Sequence, residues 1–243
     1  MCLLTWYPRL SANPHWWGGA VRVQHVTLKL FANETHPTSK ARSRGRGVRH
    51  NQAMRVGIAH HFGWAIAVTA SESHEVIDRR RIELIEPGLP AAPIHHVGGP
   101  HRLHRAGEPL DDPALVRLVA DVRASVVRAT STALDEISSV LPAPITSLSV
   151  RAWPADFPQD VAVQRRVPYE SRADSVMYCQ LLAEQANERD WAVHLYNAKS
   201  IEGQAARILG PRTDEVLHGP RATLGAPWSK DHRTALAAAI SAG

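Results

Sequence analysis

Cysteine is scarce in this chain, with only Cys2 and Cys179 among 243 residues. Two isolated thiols build neither a disulfide framework nor a paired metal-ligand spacing, so stapled miniature folds and zinc fingers are excluded. Such usage fits a reduced, cytoplasmic compartment. Lysine is nearly absent as well, four residues against 24 arginines, a bias that reflects GC-rich coding more than function. No apolar run reaches the roughly 18–20 residues a membrane span needs. The first 30 residues also lack the continuous hydrophobic stretch and small-residue cleavage site of a secretory signal. There is no P-loop, G-x-G-x-x-G, G-x-S-x-G elbow or Cys-x-x-Cys, which removes support from nucleotide-driven and serine-hydrolase chemistry.

What charge there is lies unevenly. Residues 1–53 hold eight basic residues against Glu34 alone, a net of +7, whereas residues 54–243 carry 20 basic and 22 acidic, a net of −2. The overall pI of about 9.6 is therefore a property of the N-terminal segment. That segment mixes Trp6, Trp16 and Trp17 with a Ser/Arg/Gly run at 39–49. Residues 21–31 read as one short strand without a partner nearby. Two readings stay open: a basic arm for phosphate contact, or a gene start placed too early, with translation beginning at Met54. In either case 1–53 is expected to be a disordered extension and 54–243 a single α/β domain.

From Met54 the apolar pattern is regular. Residues 54–60, 63–70 and 75–85 read as three strands joined by short Gly- and Ser-containing turns, expected to pair as an antiparallel meander. Residues 86–109 read as loop. Asp111, Asp112 and Pro113 open a helix whose apolar stripe runs through Leu115, Val119, Val122 and Val126 to Ile137, with Pro142 and Pro144 beyond it. A fourth strand at 145–150 follows this crossover and takes a parallel or central place. Then come a loop at 154–168, a helix at 171–189, a strand at 191–196, a helix at 200–209, a Gly/Pro-rich connection at 218–229 and a terminal helix at 230–241. Ser171 and Asp174 have the spacing of a capping box for the second helix.

This order resembles the ribonuclease-H-like fold, a mixed five-stranded sheet with helices on both faces, and within it the Holliday-junction resolvases of the RuvC type. Arg55-Val56-Gly57-Ile58 followed by Gly63-Trp64-Ala65-Ile66-Ala67-Val68 is similar to the family's opening strands. Ala173-Asp174-Ser175 at the second helix and the run Asp231-His232-Arg233-Thr234-Ala235-Leu236-Ala237-Ala238-Ala239-Ile240 of the last helix resemble it too. The resemblance implies a cluster of carboxylates holding two divalent ions, which make the attacking hydroxide and neutralise phosphate charge. Matched position by position, the first-strand acid falls on Ala59, the fourth-strand acid near Val150-Arg151-Ala152, and the last-helix pair on Asp231 and Thr234. One acid of four argues against the two-metal mechanism.

Other constellations remain. The topology brings His60, His61, Arg151, Trp153, Asp231 and His232 to one sheet edge. There His61, Asp231 and His232, with His60, are candidate catalytic residues or ligands for a transition metal rather than Mg²⁺. His95, His96, His101 and His104 crowd the long loop. Arg165, Arg166, Glu170 and Arg172 form the densest polar run and suit a phosphate or carboxylate. Lys199, Arg221 and Lys230 extend a cationic rim, and Trp153 and Trp228 can stack on a base. Three functions follow. The first is a catalytically degenerate ribonuclease-H-like domain binding nucleic acid or another phosphorylated ligand, and the second a metal-dependent phosphodiesterase with a rebuilt His/Asp site. The third is a non-enzymatic protein-interaction domain.

Overall fold

The computed structural model describes residues 53–101 and 107–242. The expected strand at 21–31, the arginine-rich run at 39–49 and His104 lie outside the described residues.

Strands β1 (Met54–His60), β2 (Trp64–Ala70) and β3 (Val76–Glu83) form the antiparallel meander. Strand β4 (Ile145–Arg151) then lies parallel to β1, and β5 (Ala192–Tyr196) parallel to β4. The sheet order β3-β2-β1-β4-β5, with helices on both faces, is the ribonuclease-H-like arrangement. β1 occupies the centre, and all but one of its residues are buried.

The chain reaches β4 through helix α1 (Asp112–Val140). Asp111 caps it by accepting from the Ala114 N–H at 2.8 Å, and Pro113 sits in its first turn. Its expected stripe, Leu115, Val119, Val122 and Val126, is buried. Together with α3 (Glu170–Asn187) it covers one sheet face, where Met54, Val56, Ile58, Leu148 and Val150 meet Val122, Leu134, Leu181 and Leu182. Each such side chain contributes roughly 1.5–3 kcal/mol by leaving water.

The other face is covered by α4 (Ile201–Leu209) and α7 (Lys230–Ile240), where Ala59, Ile66 and Val68 pack on Ile201, Ala235, Leu236 and Ala239. Along β1 the strand period of two therefore sends even-numbered residues to α1 and α3 and odd-numbered ones to α7.

Three expected irregular segments hold helical turns. Residues 86–109 contain a π-helical turn, Pro93–Gly98, whose first N–H groups need an acceptor from elsewhere. The 154–168 loop contains a short α2 (Val161–Gln164), capped by Asp160. The 218–229 connection contains α6 (Pro220–Leu224), and α5 (Thr213–His218) precedes it.

The expected capping box at α3 does not form: the helix begins at Glu170 with no side-chain cap. Asp174 is instead turned inward, 1% exposed, and accepts from the backbone N–H of Ile94 at 3.1 Å and of His95 at 2.8 Å. It caps the π-helical turn eighty residues upstream, which a reading of its own neighbours has no means of showing.

Candidate functional site

The carboxyl ends of β1 and β4 and the amino-terminal part of α3 enclose a cavity of about 550 Å³. Clefts at strand carboxyl ends are where open α/β sheets commonly take ligands. It is lined by His60, His61 and Phe62 after β1, by Arg151, Ala152, Trp153 and Pro154 after β4, and by Ser171, Arg172, Ser175, Val176 and Cys179 on α3. Four of the expected residues, His60, His61, Arg151 and Trp153, thus share one space, joined by Arg172 from the polar run.

The two histidines end a strand, so they leave it on opposite sides. His60 follows Ile58 toward α3, where it is 3% exposed, with Nε2 2.9 Å from Ser175 Oγ and the Cys179 sulfur 3.6 Å away. Burial, reinforced by the neighbouring charges of Arg151 and His61, lowers its pKa from 6.5 to about 3, so its ring is neutral at physiological pH. Burial likewise pushes the Cys179 thiol up to about 12. It is a packed thiol rather than a thiolate nucleophile.

His61 follows Ala59 toward α7, and its Nε2 lies 3.1 Å from Asp231 Oδ2. Its ring stacks on Trp64, with centroids 4.1 Å apart and planes 14° from parallel, and the Arg81 guanidinium lies 4.2 Å over the same indole. A three-residue turn, with Gly63 at φ +81° and the His61 N–H donating to the Trp64 carbonyl, sets this geometry.

Several expected site residues are employed elsewhere. His232 turns back on its own helix start, Nδ1 accepting from the Ser229 N–H at 3.2 Å, and packs against Trp228. It does not join His61 and Asp231. Among the described residues no group of three or more His, Cys, Asp or Glu is placed to hold a metal ion, which corrects the expected His61/Asp231/His232 ligand set.

Trp228 is buried and donates its Nε1–H to the Leu217 carbonyl, so it offers no face to a base. Arg165 ties three segments together, donating to the Gly98 and Leu110 carbonyls and to Asp112 at 2.6 Å. With Arg166 it lines a second cavity that shares no residue with the first. Glu170 is buried, with one oxygen 3.3 Å from His101 Nε2. His95 faces His96, whose ring meets the edge of Phe62. Lys199, Arg221 and Lys230 are exposed and outside the cavity lining.

Phe62, Ser171, Ser175 and the inward side of Cys179 were not singled out as site residues by the sequence. Their signal is the spacing 171, 175, 179, small polar groups four apart on an apolar helix face.

The two divalent ions implied by the sequence resemblance need hard oxygen donors, and the residues present do not supply them. Ala59 offers a methyl group, Arg151 a positive guanidinium without a lone pair, and Thr234 a hydroxyl turned toward Glu202 at 3.5 Å. Asp231 alone brings a carboxylate, and it is occupied by His61. Arg151 and Arg172 are both exposed, and among the described residues neither has an ion-pair partner.

No family model and no curated protein matches the sequence. Among solved structures, the chain is similar to Thermus thermophilus RuvC in complex with a Holliday junction substrate, at 12% identity over 78% of this chain and 91% of that one, with a TM-score of 0.41. It is similar also to a second Thermus thermophilus RuvC structure, at 13% identity over 77% and 92% of the two chains, with a TM-score of 0.40. Among the described residues no helix is long and apolar enough to cross a membrane.

Proposed function

We propose that this chain is a ribonuclease-H-like binding domain that holds a nucleic-acid phosphate at the β1/β4 edge and does not cleave it by the two-metal route. The observation that carries this is a cavity at the fold's usual working edge lined by two unpaired guanidiniums and no carboxylate. Guanidinium forks match phosphate oxygens in geometry and charge. Trp153, half-buried in the same wall, supplies an apolar surface beside them.

The full chain is expected to shift a labelled single strand, duplex or four-way junction at low salt. Arg151→Ala and Arg172→Ala should each weaken binding about tenfold or more, the scale of one charge-assisted hydrogen-bonded contact. Both residues are exposed, so thermal melting should be unchanged in either variant. A shift that survives both substitutions would place binding outside this cavity and end the proposal.

A hydrolytic reading keeps one supporting observation, the 3.1 Å contact between His61 and Asp231. Catalytic zinc sites use three protein ligands and an open position, and this pair supplies two. Metal analysis of the purified chain is therefore expected to find well under one equivalent of zinc or manganese. One equivalent, lost on His61→Ala, would turn the choice toward a rebuilt phosphodiesterase.

A further inference from the structure

We infer that the cavity takes a terminal nucleotide bearing a phosphomonoester, either a free nucleoside monophosphate or the phosphorylated end of a single strand, and not the interior of a duplex. This rests on the binding reading above and narrows its ligand. A space of about 550 Å³ lies within the range of ligand pockets, roughly 300–1,000 Å³, and one nucleotide unit fits where a duplex does not.

Charge supports the same choice. A phosphomonoester carries about −1.5 to −2 near neutrality, and the lining supplies two fixed positive charges, Arg151 and Arg172, with no carboxylate to oppose them. A backbone diester brings one negative charge and leaves the second guanidinium half used. Trp153 and Phe62 stand in the same wall and offer ring faces or edges to a base, which stacks without regard to sequence.

The rest of the domain offers a long duplex little to follow. Proteins that track duplex DNA show a basic stripe or face, yet residues 54–243 carry a net of −2. Several arginines outside the cavity are already committed: Arg80 to Asp78, Arg128 to Glu86, Arg165 to Asp112 and Arg189 to Asp135. The cationic supply at the cavity is local and sized for one phosphate group.

The test is competitive anisotropy with the full chain and a short labelled DNA strand carrying a 5′-phosphate, a 3′-phosphate or neither, beside a hairpin-closed duplex without free ends and AMP as competitor. The phosphorylated strand, at one end or the other, is expected to bind about tenfold or more above the unphosphorylated one. The preference should vanish in Arg151→Ala and in Arg172→Ala. The salt slope on the single strand should be shallow, about −0.7 to −1.4, because only one or two contacts release counterions.

Displacement by AMP identifies the free nucleotide as sufficient, and displacement only by a phosphorylated strand identifies the strand end; each supports the inference. Equal, Arg151-dependent binding of the closed duplex overturns it while leaving the binding function intact. Absence of any Arg151- or Arg172-dependent binding removes both.

Discussion

Gly57→Ala is expected to leave the chain unable to fold, with a loss of roughly 4–5 kcal/mol or more, within the range that single core changes reach only through a named steric or polar fault. A methyl group built on Gly57 would lie 1.8 Å from the Ala235 carbonyl oxygen and 2.9 Å from the Ala239 backbone nitrogen. Both are main-chain atoms of α7, so no rotamer change relieves the contact. The helix must move off the central strand. That displacement opens the whole second cluster, in which Ala235, Leu236, Ala238 and Ala239 pack against β1 and β2. Ordinary overpacking costs about 1–3 kcal/mol when neighbours yield, and here they cannot.

Gly203→Ala is the control. It lies in α4 with nothing within 4 Å, and the exchange should stabilise by about 0.5–1 kcal/mol through helix propensity. Soluble yield and denaturant midpoints read both. A Gly57→Ala protein that melts within a few degrees of the parent would show that α7 does not sit on β1 as described.

The same contact explains part of what was legible in the sequence. Gly57 in the opening strand and the Ala-rich terminal helix each resembled a family motif, and they are the two halves of one close approach. The meander, the long crossover helix and the two parallel strands were likewise readable, because their period and caps are local properties. What stayed hidden was decided by distant partners.

Arg165 reads as one of a run of free cations, yet its acceptors, Gly98, Leu110 and Asp112, lie more than fifty residues upstream. Asp174 has the spacing of a cap for its own helix and caps a different turn. His60 and His61 line one cavity as their place at the strand end suggests. The alternation already visible in Met54, Val56 and Ile58 turns their rings to opposite sides, a detail readable from period two alone.

Asp174 and His60 also give the protein a concealed pH balance. Burial raises the Asp174 carboxyl from 3.8 to about 7, against the pull of its two N–H donors. The folded state therefore keeps a proton that the unfolded chain has released, and the stability this brings, full below about pH 4, is lost as pH rises through about 7. Burial lowers His60 from 6.5 to about 3. Here the unfolded chain binds the extra proton, and the stability present above pH 6.5 is lost as pH falls through about 3. Between about pH 4 and 6.5 the two slopes are opposite and similar, each about 1 kcal/mol per pH unit.

Removing either group should uncover the other. Relative to the parent, Asp174→Asn should gain stability with rising pH across this window, by about 3 kcal/mol in all, and His60→Gln should lose stability by a similar amount. The comparison with the parent protein cancels the contributions of the remaining titrating groups. Urea midpoints at pH 4, 5, 6 and 6.5 for the three proteins measure it. Variant curves parallel to the parent would mean that neither side chain is shielded from water, against the burial of both.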